Sequence, residues 1–448
     1  MTMSGITRRR FMAGVSAGML TAMSGVSLGG GAPRGRAGKL ALLGGTPVRG
    51  KPFSAWPIWR DKDDQPIIEI LRSGKWFRGW GDVVRQWEAR YAELTGATAC
   101  LGTMNGTNAL LTALHVLDVG VGDEVIVPPY TFVATISVVL MSNALPVFAD
   151  VDPETFQIDP EDIEKRITPR TRAIIPVHIL GGVADMDRVN TVAKKHGLAV
   201  IEDACQAHLA QWRGKHVGTL GDLGCFSFQN SKNLPCGEGG AVIGMDSKLM
   251  DQCHSFTNCG RPYGSVQGGG GNARLGTNRR MTELQAAILL AQMQYIEDYA
   301  KQRTENAAYL TSKIEKIPGI SVRKDYPGTT RCAYHLYALR YFADEFGGVP
   351  RGRFLEALRR EGIEVSGGYG PLNKEGIIAG TLASKSFQRA FSKERLDAYH
   401  RDNECPANDR LCEQAVWLPQ YLLLGSKADM DDIAEAFWKV YENRTLLA

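Results

Sequence analysis

From about Gln65 onward the apolar residues fall into two alternating rhythms. Stretches with apolar positions three and four apart (Val83 to Leu94, Thr107 to Leu117, Met186 to His196) predict amphipathic helices. Between them lie short apolar runs: Glu124-Val-Ile-Val-Pro128, Leu145-Pro-Val-Phe148, Ala173-Ile-Ile-Pro-Val177, Leu198-Ala-Val-Ile201 and Cys225-Phe-Ser-Phe228. Such alternation predicts βαβ units, hence an α/β chain with a mostly parallel sheet whose ligands sit at strand C-terminal ends. Leu40 to Asp61, rich in Gly, Pro and Trp, reads as an extended arm. The Gly268 to Gly271 run predicts a loop, and Met281 to Tyr295 a long helix with Gln and Glu on one side and Ala, Ile and Leu on the other. From Tyr299 the style changes to a charged helix, a strand over Cys332 to Phe342 and a helix over Phe354 to Glu361. The expected division is a leader over 1–37, an arm and large domain over 38–300, and a smaller α/β domain over 301–448.

Composition narrows this little. The 448 residues are 44% hydrophobic and 22% charged, which is globular and excludes a disordered chain. Lys and Arg number 52 against 48 Asp and Glu, with no basic stripe, so no nucleic-acid partner is expected. Nine cysteines include no C-x-x-C pair; no metal site is expected, and a disulfide stays open. Thr7-Arg-Arg-Arg-Phe-Met12 precedes a weakly apolar stretch, Ala13 to Ala32, too poor in Leu, Ile, Val and Phe for a stable membrane span. The order of motif and stretch reads as a twin-arginine export signal, so a periplasmic address is expected, with a mature start near residues 32–37 or an uncleaved leader.

The chemistry concentrates after two of the apolar runs. Lys232 follows the run ending at Phe228, between Gln229-Asn-Ser231 and Gly237-Glu-Gly-Gly240. An amine on a sheltered loop beyond a strand is desolvated and becomes nucleophilic. Val200-Ile-Glu-Asp203 ends another run in a carboxylate, and adjacent parallel strands would bring Asp203 and Lys232 to one sheet edge. A lysine and an acid facing one aromatic ring is the arrangement pyridoxal 5′-phosphate requires. Gly106 and Thr107 open a helical pattern able to bind a phosphate, Ser227 offers a second hydroxyl, and Phe132 an aromatic cover. His208 and His335 read as structural, or as supporting the site from behind, rather than catalytic, and Glu238 as a turn cap.

Five motifs in order carry a family resemblance: Asn105-Gly-Thr-Asn-Ala-Leu110, Gly122 to Thr135, Glu202-Asp-Ala-Cys-Gln-Ala-His208, the Lys232 segment, and Gly276-Thr-Asn-Arg-Arg-Met-Thr-Glu-Leu-Gln-Ala-Ala287. Over residues 40–445 the chain resembles the DegT/DnrJ/StrS pyridoxal-phosphate aminotransferases. Ser227 to Lys232 and Gly260-Arg-Pro262 resemble the amino-hydroxybenzoate synthase and scyllo-inosose aminotransferase branches. The resemblance implies the aspartate-aminotransferase fold, with a large domain on a mostly parallel sheet of seven-stranded type. It implies Lys232 as the lysine that bonds the cofactor and Asp203 as partner of its ring nitrogen. Gln206 would lie near the phenolic oxygen and Phe132 on the ring. Gly106, Thr107, Asn108 and Ser227 would hold the phosphate, joined by Asn278 from the second subunit of a homodimer. Glutamate or glutamine would be the donor and a keto-sugar or keto-cyclitol the acceptor. The chain departs from its relatives at Gly367-Gly-Tyr-Gly-Pro-Leu372, where a His-Tyr-Pro-Pro-Leu-His-like turn is usual, and this leaves the substrate pocket open. Family dehydratases replace the lysine by histidine, so Lys232 favours transamination. A cofactor-binding sensor without turnover, or a dehydratase or lyase on the same scaffold, stays open from sequence.

Overall fold

A computed structural model of the protein describes residues 38–447. The expected leader, with its twin-arginine segment, lies outside them. The apolar runs become strands: β1 (Ala99–Thr103), β2 (Glu124–Val127), β3 (Leu145–Phe148), β4 (Thr171–Ile174), β5 (Ala199–Asp203), the short β6 (Gln211–Trp212) and β7 (Lys215–His216), β8 (Leu223–Ser227) and β9 (Gly240–Gly244). Seven of them form one sheet in the order β1-β9-β8-β5-β4-β2-β3. From β8 to β3 all neighbours run parallel, and β9 alone runs antiparallel, against both β1 and β8.

Side chains alternate across each strand. Val125 and Val127 enter one core while Ile126 enters the other; Ile201 and Val200 divide the same way, as do Cys225 and Phe226. Helices cover both faces, so the parallel strands read as continuous apolar runs. The helix over Met186–His196 has the bounds its periodicity predicts. The helix expected over Met281 to Tyr295 forms over Glu283–Met293, and the charged helix expected from Tyr299 runs over Ile296–Ile314. The second begins before the boundary expected at residue 300.

A three-stranded antiparallel sheet, β10 (Ile320–Val322), β12 (Leu336–Tyr341) and β13 (Ala415–Pro419), builds a separate core with the helices Arg351–Arg360 and Lys427–Glu442. A third sheet pairs β11 (Thr329–Arg331) with the β6–β7 hairpin. Residues from Leu372 to Cys405 return to the first core, where Phe387, Phe391 and Tyr399 are buried. The arm is stitched to this second half. Glu361 accepts the N–H groups of Ala41 and Val48 at 2.8 and 2.9 Å and pairs with Lys439 at 2.9 Å. Arg49 pairs with Asp429 and Asp432 at 2.7 and 2.8 Å. All nine cysteines are free.

At the end of β5 one buried carboxylate organises its surroundings. Glu202 accepts the N–H groups of Gly218, Leu220 and Gly221, each at 2.7 Å, and His178 Nε2–H at 2.9 Å. His178 Nδ1 accepts the Ala184 N–H at 3.2 Å, so the ring is the neutral Nε2–H form. Room for this turn comes from Gly224, where a Cβ would lie 2.2 Å from the Gly218 Cα. Glu202→Ala leaves three inward-facing N–H groups without an acceptor. It is expected to cost about 3–5 kcal/mol, measured as a lowered urea midpoint.

Candidate active site

The parallel register pairs Glu202 with Gly224 and Asp203 with Cys225, so β5 and β8 end side by side. Lys232 lies five residues beyond the end of β8, on a turn held by its own N–H to Gln229 C=O at 2.8 Å and by Trp56 Nε1–H to its carbonyl at 3.1 Å. Asp203 and Lys232 therefore face one cavity of about 600 Å³. Gly106, Thr107, Phe132, Gln206 and Ser227 line it as well, so seven of the nine residues singled out from sequence share one space.

Asp203 is buried and fixed at both oxygens. Thr135 Oγ–H donates to Oδ2 at 2.8 Å, and the Cys205 N–H reaches Oδ1 at 3.2 Å. With the Thr135 proton so used, the Thr131 hydroxyl 2.9 Å away donates to Thr135. Burial lowers the Lys232 ammonium pKa from its usual value, against a smaller opposite pull from Cys205 and Asp203. An amine in this setting reaches its neutral, nucleophilic form at lower pH than a solvated lysine.

The same cavity also suits an anion. The helix Gly106–Val116 begins there, capped by Asn105, whose Oδ1 accepts the Asn108 N–H at 2.9 Å. First-turn N–H groups have no intrahelical acceptor, which leaves those of Gly106 and Thr107 for a ligand beside the Thr107 and Ser227 hydroxyls. Glycine is required at 106: a Cβ there would meet Cys205 Sγ at 2.8 Å and Ser227 Cβ at 2.9 Å. An anion cradle, an acid and an amine in one cavity fit pyridoxal phosphate. Phe132, 53% exposed, stands at the rim.

Two expected residues are placed elsewhere. Asn108 does not line the cavity; its N–H and its Nδ2 both donate to Asn105 Oδ1 at 2.9 Å. Asn278 lies outside its own chain's cavity, bridged to Asn258, with Oδ1 accepting the Arg280 N–H at 3.4 Å. His208 is structural: Nε2–H donates to Ser227 C=O at 2.8 Å, Nδ1 accepts from Tyr91 at 3.1 Å, and burial pushes its pKa down to about 3. His335, read from sequence as a structural or supporting residue rather than a catalytic one, lines the cavity, as do Glu238 and Tyr369. Thr135 and Asn105 went unassigned as well, although both lie inside quoted motifs. An Asn directly before Gly106 is a capping signal, and Thr135 opens a helix beside the β5 end. Tyr369 sits in the Gly367 to Leu372 turn.

Comparison with known proteins agrees with this geometry. The L-glutamine:2-deoxy-scyllo-inosose aminotransferase of Streptomyces kanamyceticus is 38% identical over 423 residues, 92% of this chain and 98% of the relative. The L-glutamine:scyllo-inosose aminotransferase of Streptomyces griseus is 36% identical over 417 residues, 90% of this chain and 98% of the relative. The crystal structure of 3-amino-5-hydroxybenzoic acid synthase superimposes with a TM-score of 0.78 at 30% identity, covering 89% of this chain and all of that one. The fold is thus that of the type I pyridoxal-phosphate enzymes. Residues 57–437 match the sequence profile of the DegT/DnrJ/EryC1/StrS aminotransferases, and the protein belongs to that family of pyridoxal-phosphate-dependent enzymes.

Proposed function

We propose that the cavity holds pyridoxal 5′-phosphate and that the protein transfers an amino group from glutamine, or glutamate, to the ketone carbon of a cyclitol or related sugar. The observation that carries this reading is the placement of Lys232 and Asp203 in one cavity with the N-terminus of the helix Gly106–Val116. The names of the two Streptomyces relatives support glutamine as donor and a keto-cyclitol as acceptor.

In this reading the N–H groups of Gly106 and Thr107 and the hydroxyls of Thr107 and Ser227 take the phosphate. Asp203, oriented by Thr135 and Cys205, pairs with the ring nitrogen; Gln206 faces the phenolic oxygen and Phe132 covers the ring. When bound, the cofactor supplies the carbon that receives the amino group and the ring that draws electron density from the donor. Lys232 anchors the cofactor covalently. Once displaced by the donor amine, its Nζ takes the proton from the donor's amine-bearing carbon, and it later delivers a proton to the carbon that was the acceptor's ketone. A second copy of the chain completes the site by bringing Asn278 to its partner's phosphate. Exposed Trp76, Trp80, Met104, Phe132 and Leu275 supply apolar surface for that contact. A free keto-cyclitol carries no nucleotide, which suits the exported address expected from Thr7 to Met12.

Lys232→Ala is expected to abolish turnover and the covalent attachment trapped by borohydride and read by mass spectrometry; attachment persisting in the variant overturns the role of Lys232. Asp203→Asn is expected to retain cofactor while losing at least about a hundredfold in kcat. In the folded, cofactor-free chain Lys232 releases its proton at lower pH than in the unfolded chain, which holds it up to about 10.5. The unfolded state therefore binds more protons in between, and stability rises with pH across that window. Lys232→Met is accordingly expected to stabilise the cofactor-free protein, with an advantage that shrinks as pH approaches 10.5, read by urea unfolding at stepped pH. Light scattering is expected to give twice the monomer mass.

A further inference from the structure

Two groups in the cavity, Tyr369 and His335, present opposite hydrogen-bonding capacities, and their neighbours determine which is which. Gln206 Oε1 accepts the Leu180 N–H at 2.9 Å, which turns its amide nitrogen toward the Tyr369 oxygen at 3.0 Å. An amide nitrogen only donates, so the phenol oxygen accepts and its own proton is free to be given elsewhere. Burial pushes the phenol up to about 12, so that proton is retained near neutrality. Asn233 Nδ2 donates to Ala333 C=O at 2.7 Å, which turns Asn233 Oδ1 toward His335 Nδ1 at 3.3 Å. A carbonyl oxygen only accepts, so Nδ1 carries the proton and Nε2 is a bare lone pair. His335 is 6% exposed, and burial together with the charge of Lys232 holds its pKa well below the usual value, so the ring is neutral.

Both side chains are referred to one turn. Leu180, in the left-handed region at φ 62°, holds Gln206 and through it Tyr369. Gly181 C=O accepts the Ala333 N–H at 2.8 Å, and a Cβ on Gly181 would lie 2.7 Å from the His335 backbone nitrogen. Tyr369 is further fixed by Trp417 and Tyr130, with ring centroids at 4.6 and 5.7 Å. Gly368 wraps Tyr130 so closely that a Cβ would sit 2.6 Å from its hydroxyl.

A secondary alcohol gives one proton and takes one, and an O–H donor with a fixed acceptor near Lys232 matches it. We propose that Tyr369 and His335 are specificity-determining residues that bind the hydroxyl groups flanking the carbonyl of the acceptor, with Tyr369 donating and His335 Nε2 accepting. This rests on the proposed transfer to a keto-cyclitol and names what selects it.

Calorimetric titration of the cofactor-loaded protein with scyllo-inosose and with 2-deoxy-scyllo-inosose, which lacks one flanking hydroxyl, tests the pair without requiring turnover. Tyr369→Phe and His335→Phe are each expected to weaken scyllo-inosose binding about tenfold and to narrow the gap between the two ketones. In steady state the acceptor KM is expected to rise by a larger factor than the glutamine KM. His335→Gln, which returns an acceptor near the Nε2 position, is expected to recover most of the loss. Unchanged ketone binding in both variants, equal losses for ketone and glutamine, or no binding of either ketone to the wild-type protein overturns the assignment. Ketone binding that depends on both side chains but is followed by no amino transfer supports the pair and overturns the proposed reaction instead.

Discussion

The site hangs on the carboxylate of Glu202, a buried charge that only a full set of donors makes tolerable. Four groups point at it, three from the turn between Gly218 and Gly221 and one from His178. Successive residues of a strand face opposite sides, so anchoring Glu202 behind the sheet also sets Asp203 in front of it. The Glu202 turn also leads directly into β8, whose far end carries Ser227 and the Lys232 turn. A single satisfied charge thus fixes the spacing between an acid on one strand and an amine beyond the next.

The back of the cavity extends the same frame. Tyr369 and His335 belong to the second half of the chain, yet both lean on the Ile179–Gly181 turn, which continues from β4 and meets β5 through Val177 and Asp203. The helices between Leu372 and Cys405 also pack into the first core. The wall that closes the site is therefore anchored to the sheet that carries the acid, and its polar atoms hold defined protonation states.

Much of this was legible because the strongest signals were local. The runs at Glu124, Leu145 and Cys225 became strands through unbroken apolar patterning, and the order of motifs placed Lys232 and Asp203 together. β1 and β9 were harder to read: both contain glycines where neighbours approach closely, Met281 and Trp87 at Gly102 and the Asn105 backbone at Gly240, so packing rather than propensity sets them. Asn108 sits in the right motif, yet its amide turns to the capping residue Asn105 three positions away, a contact that composition does not reveal. Nor does a linear pattern show that Tyr369 would meet Gln206, 163 positions away.

The arm has a consequence for biogenesis. Its anchors, Glu361, Asp429, Asp432 and Lys439, are separated from it by more than three hundred residues. Such contacts wait for large loops to close, and here for synthesis to pass Lys439. Since Trp56 on that arm braces the carbonyl of Lys232, the reactive turn receives its last support only after those distant anchors have been made and folded back, and a nascent chain acquires its chemistry late.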